Sequence, residues 1–466
     1  MIHASFSGRL VMLGFGSIGQ GVLPLILRHI AMPRERITII TAEPRGAEVA
    51  AEYGIRFVQQ AVTRENLRVV LLPELAPGDF LLNLSVDVSS VALIALVQEI
   101  GALYLDTCIE PWPGGYTDPT LTPSQRSNYG LRESALALRD GVAGRPTAVL
   151  THGANPGLVS HLVKQALLNL AGTGVAVPAG REGWAALAQQ LGVKVIHIAE
   201  RDTQVASHPK QVGEFVNTWS IDGFVGEGCQ PAELGWGTHE KALPPDGHRH
   251  AFGCDAAIWL ARPGASTRVR SWTPLEGPFH GFLITHNEAI SLADYYTVRD
   301  AAGAVTYRPT AHYAYHPCDD AVLSVHEIAG KNWHMQPAKR LMMEEITGGT
   351  DELGVLLMGH AKGAYWFGSR LSIEQARALA PHNNATSLQV TAAVLAGLVW
   401  AMENPRAGII EADEIDHARC MDIMRPYLGE VVGEFSDWTP LQDREVLFSE
   451  ALDREDPWQF QNFRVV

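Results

Sequence analysis

The sequence predicts an α/β fold in which a doubly wound parallel-sheet domain is followed by a second, mixed α+β domain. Three observations carry that expectation. Short apolar runs alternate with helix-like stretches through the first third of the chain. A glycine-rich turn separates the first run from the first helix. After Asn155-Pro156-Gly157 the pattern shifts to longer β-rich stretches with loops rich in glycine, proline and aromatics. Strand-helix alternation of the first kind builds parallel sheets, because each crossover must travel back over the sheet.

In order, the apolar runs are 9–13, Ile37 to Thr41, Val69 to Leu72, Phe80 to Leu84, Leu103 to Leu105 and Ala148 to Leu150, each short enough for a buried strand. Val22 to Ile30, Ser89 to Ile100 and Ser134 to Asp140 have helical spacing. These place a first domain at 1–150. Strand-like stretches at Val193 to Ile198, Phe215 to Phe224, Phe279 to Thr285 and Val355 to Met358 mark a second domain over 151–375. A helical segment over 376–466 is expected to return to the first domain. Its strongest helix runs from Ser387 to Glu403, stopped by Pro405, and a second covers Ala412 to Met424.

Composition narrows the function. Of 466 residues 46% are hydrophobic and 19% charged, a globular balance. The formal charge of −15 repels nucleic acid and anionic membranes and attracts cations. Five scattered cysteines without a CxxC pair read as free thiols in a reducing compartment. The N-terminus lacks the build of a signal peptide, and the longest apolar candidate, Val390 to Trp400, is too short to span a bilayer. The expectation is a cytoplasmic protein without nucleic-acid or membrane partners.

Gly14-Phe15-Gly16-Ser17-Ile18-Gly19 has the spacing of a dinucleotide turn. Gly14 permits the turn, Gly16 lets the backbone approach a pyrophosphate, and Gly19 allows close helix packing. The amides of the following helix start then face the phosphates. Glu43, about 24 residues past Gly19, closes the second strand near the ~20 spacing expected of a ribose-binding acid. A carboxylate there repels a 2′-phosphate and favours NAD over NADP, although Arg45 stands nearby. Beyond the carboxyl ends of later strands lie Asp87, Asp106, Glu110 and Asn155, on the side where a nicotinamide belongs. Taken alone, the same residues also serve as helix caps and turn formers.

The second domain contributes Glu200, Trp219, Glu227, His286 and Glu288. If the Phe279 to Thr285 strand continues, His286 and Glu288 share one face. Carboxylates, an indole and an imidazole suit a cationic ligand, since an indole face stabilises positive charge by about 0.5–2 kcal/mol. Read singly, Trp219 fits a core or interface aromatic better, the glutamates also read as surface ion-pair partners, and His286 as a satisfied strand histidine. Metal sets at His248/His250/Cys254 and His312/His316/Cys318/Asp319 do not match compact zinc spacing, so no metal is expected. Lys331 is the least ordinary lysine for a Schiff base, with a surface role the simpler reading.

The segments LGFGSIGQG (13–21), NLSVD (83–87), DTCIEPW (106–112), HGANPGLVSHL (152–162), HIAERDTQ (197–204), NTWSIDGF (217–224) and THNEA (285–289) together resemble bacterial homospermidine synthase. The similarity runs from residue 9 through the C-terminal segment. It implies a Rossmann-type domain, a saccharopine-dehydrogenase-like second domain for substrate and dimerisation, and a homodimer. It implies NAD held tightly as a prosthetic group, and conversion of two putrescines to homospermidine and ammonia. Hydride leaves putrescine, an imine forms, ammonia is lost, a second amine condenses and the hydride returns; spermidine can replace one putrescine as donor. Carried over by position, Trp219 holds cationic intermediates, Glu200 and Glu227 the inner amine end, and Asp87 and Glu110 the outer end. Asn155 and His286 position substrate and assist proton transfer, with Glu288 beside them. The rival reading is a net oxidoreductase related to saccharopine dehydrogenase or carboxynorspermidine synthase. Its carboxylate substrates call for arginines, whereas this set is acidic and aromatic.

Overall fold

Leu10–Leu13, buried along its whole length, is an inner strand of a seven-stranded, all-parallel sheet. In spatial order the strands are Ile409–Glu411, Ala148–Leu150, Leu103–Asp106, Phe80–Asn83, Leu10–Leu13, Ile37–Thr41 and Arg56–Gln59. From Leu10–Leu13 the chain winds one way to Arg56–Gln59, then crosses to Phe80–Asn83 and winds the other way. That reversal opens a crevice beyond the carboxyl ends of Leu10–Leu13 and Phe80–Asn83. The structure, a computed structural model, describes residues 1–139 and 141–466.

The chain forms two compact units. The first contains Met1–Leu158, Thr218–Gly223 and Ile373–Gly429; the second contains Val159–Asn217, Phe224–Ser372 and Glu430–Val466. The expected return of the tail to the first domain takes the form of a helix and an edge strand. Ala385–Glu403 packs against the Ser17–His29 helix, and Ile409–Glu411 pairs in parallel with Ala148–Leu150. At 19 residues Ala385–Glu403 is long and apolar enough to cross a membrane, longer than the apolar run read from the sequence. Here it is mostly buried. A buried ion pair fastens the edge strand. Arg132, from the Asn128–Leu136 helix, meets Glu411 through two hydrogen bonds of 2.6 Å, both residues buried.

The second unit is built on an eleven-stranded mixed sheet. Its centre pairs Val195–Asp202 in parallel with Thr310–His316 and antiparallel with Thr350–His360. The last stretch of chain belongs here. Glu430–Ser436 pairs with Gly363–Ser372, Arg464–Val465 pairs with Arg268–Thr273, and Trp438, Trp458 and Phe463 complete a core around Trp366.

Several elements differ from expectation for local reasons. Val69 to Leu72 falls in a helix, Leu67–Leu71, because Leu67 and Leu71 bury on one face while Val69 is exposed. Phe215 to Phe224 divides into a strand, Glu214–Asn217, a bend, and a helix, Ile221–Cys229. The Ser220 hydroxyl accepts the Gly223 N–H at 3.2 Å and starts that helix. Phe279 to Thr285 stops as a strand at Phe282. Ala412 to Met424 is a short 3-10 turn, Ala412–Glu414, followed by a helix, His417–Met424, that Asp416 caps. The expected helix from Ser134 is instead Asn128–Leu136; Asp140, its expected end, lies outside the described residues.

Removing one member of a buried ion pair strands the other's charge, at a cost of about 3–5 kcal/mol. Arg132→Met is therefore expected to lower stability by that amount in chemical denaturation. The double variant Arg132→Met/Glu411→Met should recover most of the loss.

Candidate active site

Gly14 has φ 87°, and a Cβ there would lie 2.6 Å from the Leu84 carbonyl oxygen, so only glycine fits between the Leu10–Leu13 and Phe80–Asn83 strand ends. At Gly16 a Cβ would meet nothing within 4 Å, so the backbone is open to a ligand. Gly16 is the N-cap of Ser17–His29; no side chain caps that helix and no acid lies in its first turn. Its leading amides, from Ser17, Ile18 and Gly19, have no acceptor within the helix and carry the positive end of the helix dipole. Glu43 is exposed just past the Ile37–Thr41 strand. This geometry fits a dinucleotide with its pyrophosphate at the helix start.

Two loops of the same unit are clasped together. The Ser90 N–H donates to the Glu110 carbonyl at 2.9 Å, and the Glu110 N–H donates to the Ser90 hydroxyl at 3.0 Å. Asp87, three residues before Ser90, has φ 64°, a left-handed conformation that Asp tolerates better than most residues. Glu110 is buried and Asp87 exposed. Asp106 is wholly buried at its strand's end, in the structural role that its residue type also allows. Its carboxylate accepts the Thr151 N–H and the Tyr104 hydroxyl, each at 2.7 Å, and burial pushes it up to about 7. The Thr151 bond and the His152 N–H, which donates to the Asp106 carbonyl at 2.7 Å, hold Thr151 at φ 51°, costly for a β-branched residue. They fix the start of the turn that carries Asn155.

Trp219 is half-buried in the bend before Ile221–Cys229. Asn384 ties this bend down, donating its side-chain amide to the Thr218 carbonyl at 2.6 Å. The oxygen of the same side chain accepts the Ser387 N–H at 2.8 Å, capping the Ala385–Glu403 helix. One asparagine thus joins a helix start to the tryptophan's loop.

In the second unit the structure brings Glu200, Glu227, His286 and Glu288 together. His286 is not on a strand; it is the N-cap residue of the Asn287–Tyr295 helix, with Glu288 in the first turn. The His286 Nε2 lies 3.0 Å from Glu227 Oε2, and its Nδ1 lies 3.3 Å from Glu288 Oε1. Burial works against a charged ring, but Glu227 and then Glu288 outweigh it and hold His286 well above its ordinary value. Glu200 is on the central Val195–Asp202 strand, opposite Tyr315. Burial pushes it up to about 8, with Asp202 and Glu288 adding to the rise and the Tyr313 hydrogen bond and His286 opposing it.

Tyr313 is the member that sequence reading missed. It donates its hydroxyl to Glu200, and its ring lies 4.5 Å from the His286 ring and 4.9 Å from the Tyr315 ring. The available signal was the alternation of Tyr313 and Tyr315 in a strand, which the histidines around them obscured. His312 packs against His197 at 4.0 Å between ring centroids, and His248 stacks on Trp259 at 4.4 Å.

Glu200 binds a proton in the folded protein that the unfolded chain, with an ordinary value of 4.5, releases. Its contribution to stability is therefore complete below about pH 4.5 and lost as pH rises towards about 8. Between about pH 5 and pH 9 the melting temperature of the wild type is expected to fall relative to that of Glu200→Gln. Parallel curves would place the charge elsewhere.

The saccharopine dehydrogenase NADP binding domain family matches residues 10–149, and the saccharopine dehydrogenase C-terminal domain family matches residues 153–436. The homospermidine synthase of Blastochloris viridis is 57% identical over 470 residues, covering 100% of this chain and 98% of the relative. That of Mesorhizobium japonicum is 54% identical over 473 residues, with the same coverage. The crystal structure of homospermidine synthase from Legionella pneumophila in complex with NAD superposes with a TM-score of 0.92 at 49% identity, over 99% of this chain and 98% of that one. Full-length similarity at this level, on a glycine turn and an acidic cluster of the expected kinds, leaves one conclusion: the chain belongs to the homospermidine synthase family.

Proposed function

We propose that this chain uses NAD to join two putrescines into homospermidine with release of ammonia, and that spermidine serves as an alternative aminobutyl donor. The observation that carries the reading is the buried set of three glutamates around His286, with Tyr313 on Glu200. Glu227 and Glu288 both face one imidazole in a buried environment, so the cluster holds more acids than bases. An alkyl ammonium supplies the missing cation, and a carboxylate substrate would meet repulsion. Glu43 supports NAD, although the matching domain family is named for NADP.

NAD, when bound, supplies a hydride acceptor that later returns the hydride, so no net redox change occurs. The amines, with pKa near ~10.4, must lose a proton before carbon yields hydride or nitrogen attacks. Glu200 and Glu227 hold the inner amine end, and Asp87 and Glu110 the outer end. An arriving ammonium lowers the proton affinity of Glu200. His286, oriented by Glu227 and Glu288, carries a mobile proton to or from nitrogen, and Asn155 positions the reacting carbon. Trp219 stabilises the cationic imines through its ring face.

The five cysteines form no disulfide among the described residues, which suits a reducing compartment, and we assign the protein to the cytoplasm as a homodimer acting on small diamines. The net charge disfavours nucleic-acid and anionic-membrane partners. We assign NAD a tightly held, prosthetic role, which suits a reaction that returns its own hydride.

Putrescine deuterated at the carbons beside nitrogen tests the reaction. Homospermidine that keeps the transferred deuterium, without accumulating NADH, is the expected product by mass spectrometry. Stoichiometric NADH would mean a net dehydrogenase. Trp219→Ala is expected to keep the fold and NAD while slowing turnover at least tenfold, about 1.4 kcal/mol of transition-state stabilisation. An unchanged rate would remove Trp219 from the chemistry.

A further inference from the structure

In the second unit, the hairpin of Arg268–Thr273 and Gly277–Phe282 and the loop after Glu430–Ser436 enclose a cavity of about 270 Å³. Arg270 and His280 sit directly opposite one another on the hairpin, and both line the cavity. Trp438, 5% exposed, and Ser271, fully buried, also line it. No residue of this cavity belongs to the acidic cluster around His286.

The charges here are unbalanced, and in the opposite sense to the molecule as a whole. Arg444 is neutralised by Glu450, with Nε 2.8 Å from Oε1, and its Nη1 donates to the carbonyls of Pro440 and Asn462 at 3.0 and 2.8 Å. The Arg270 side chain has no hydrogen bond or ion pair among the described residues, and its Nε is buried without a partner. Burial first, and then Arg444, push the Arg270 guanidinium below its ordinary value, with Glu450 acting in the other direction. Burial and the positive charges of Arg270, Arg268 and Arg444 likewise lower His280. The Arg270 side chain is half-buried at the cavity wall without an acidic partner, and an anion in the cavity would supply one. Asp443, the acidic residue of the lining, is exposed, where water screens it. Its φ of 55° puts the cavity's loop wall in a conformation that non-glycine residues adopt at a cost.

We propose that this cavity is a binding site for a small anion, a carboxylate or phosphate group received by Arg270 and His280 with any flat apolar body against Trp438. The volume suits an ion or a one-ring acid and is too small for a nucleotide. A planar guanidinium presents parallel donors to either oxyanion.

The test is calorimetric titration of the NAD-loaded, full-length protein with inorganic phosphate and, separately, with benzoate, at constant ionic strength. Saturable binding of at least one is expected, weakened about tenfold or more in Arg270→Gln, while turnover of putrescine by that variant stays unchanged. Tighter binding of benzoate would identify a carboxylate with an apolar body as the ligand class, and tighter binding of phosphate an oxyanion alone. Absence of saturable binding of either up to about 10 mM would overturn the proposal. Equal affinity of wild type and Arg270→Gln would overturn it too.

Discussion

The contact of His286 with Glu227 and Glu288 is the interaction around which the second unit's polar interior is arranged. Buried carboxylates are costly unless a positive charge faces them. The imidazole meets that need on both ring nitrogens, from the first position before a helix. Glu200 meets it differently, by keeping its proton and accepting the Tyr313 hydroxyl. A cluster balanced by two such devices, with more acids than bases, gains from a cation that enters it. That is the property expected of a diamine site in a homospermidine synthase.

The first unit shows the complementary device, strain held in place by hydrogen bonds. Thr151 and Asp87 both occupy left-handed conformations at the carboxyl ends of strands. The buried Asp106 carboxylate holds the first, and the Ser90–Glu110 clasp closes the loop that follows the second. Asn384 does comparable work for the bend of Trp219, dividing its amide between a helix cap and the Thr218 carbonyl. Functional side chains on loops gain precision when a rigid element fixes the backbone beside them. In each case that element is a strand end or a helix start.

The dinucleotide turn was legible because its demands are local. Gly14 answers a positive φ and a close approach to Leu84, Gly16 an open backbone, and a strand and helix flank them in sequence. The acidic cluster was legible only by residue type. Glu200, Glu227, His286 and Glu288 stand out in the sequence as acids and an imidazole, but His286 is expected on a strand, and it is the residue before a helix. Tyr313 stayed hidden because its partner is on the neighbouring strand, more than 100 residues away in sequence. Val69 illustrates the same limit in the fold, since an apolar run of four residues has too few turns to distinguish a strand from a helix.

By itself, then, the sequence determined the parallel sheet, the nucleotide turn and the family. Each rests on periodicity or on motifs contiguous in the chain. Tertiary structure alone decided that burial raises the proton affinity of Glu200 and that Asp106 supports a loop. It also decided that residues 430–466 belong to the second unit, and that an acidic protein keeps an unpaired arginine in a cavity. Those properties depend on burial and on partners distant in sequence, and desolvation exists only once the chain has packed.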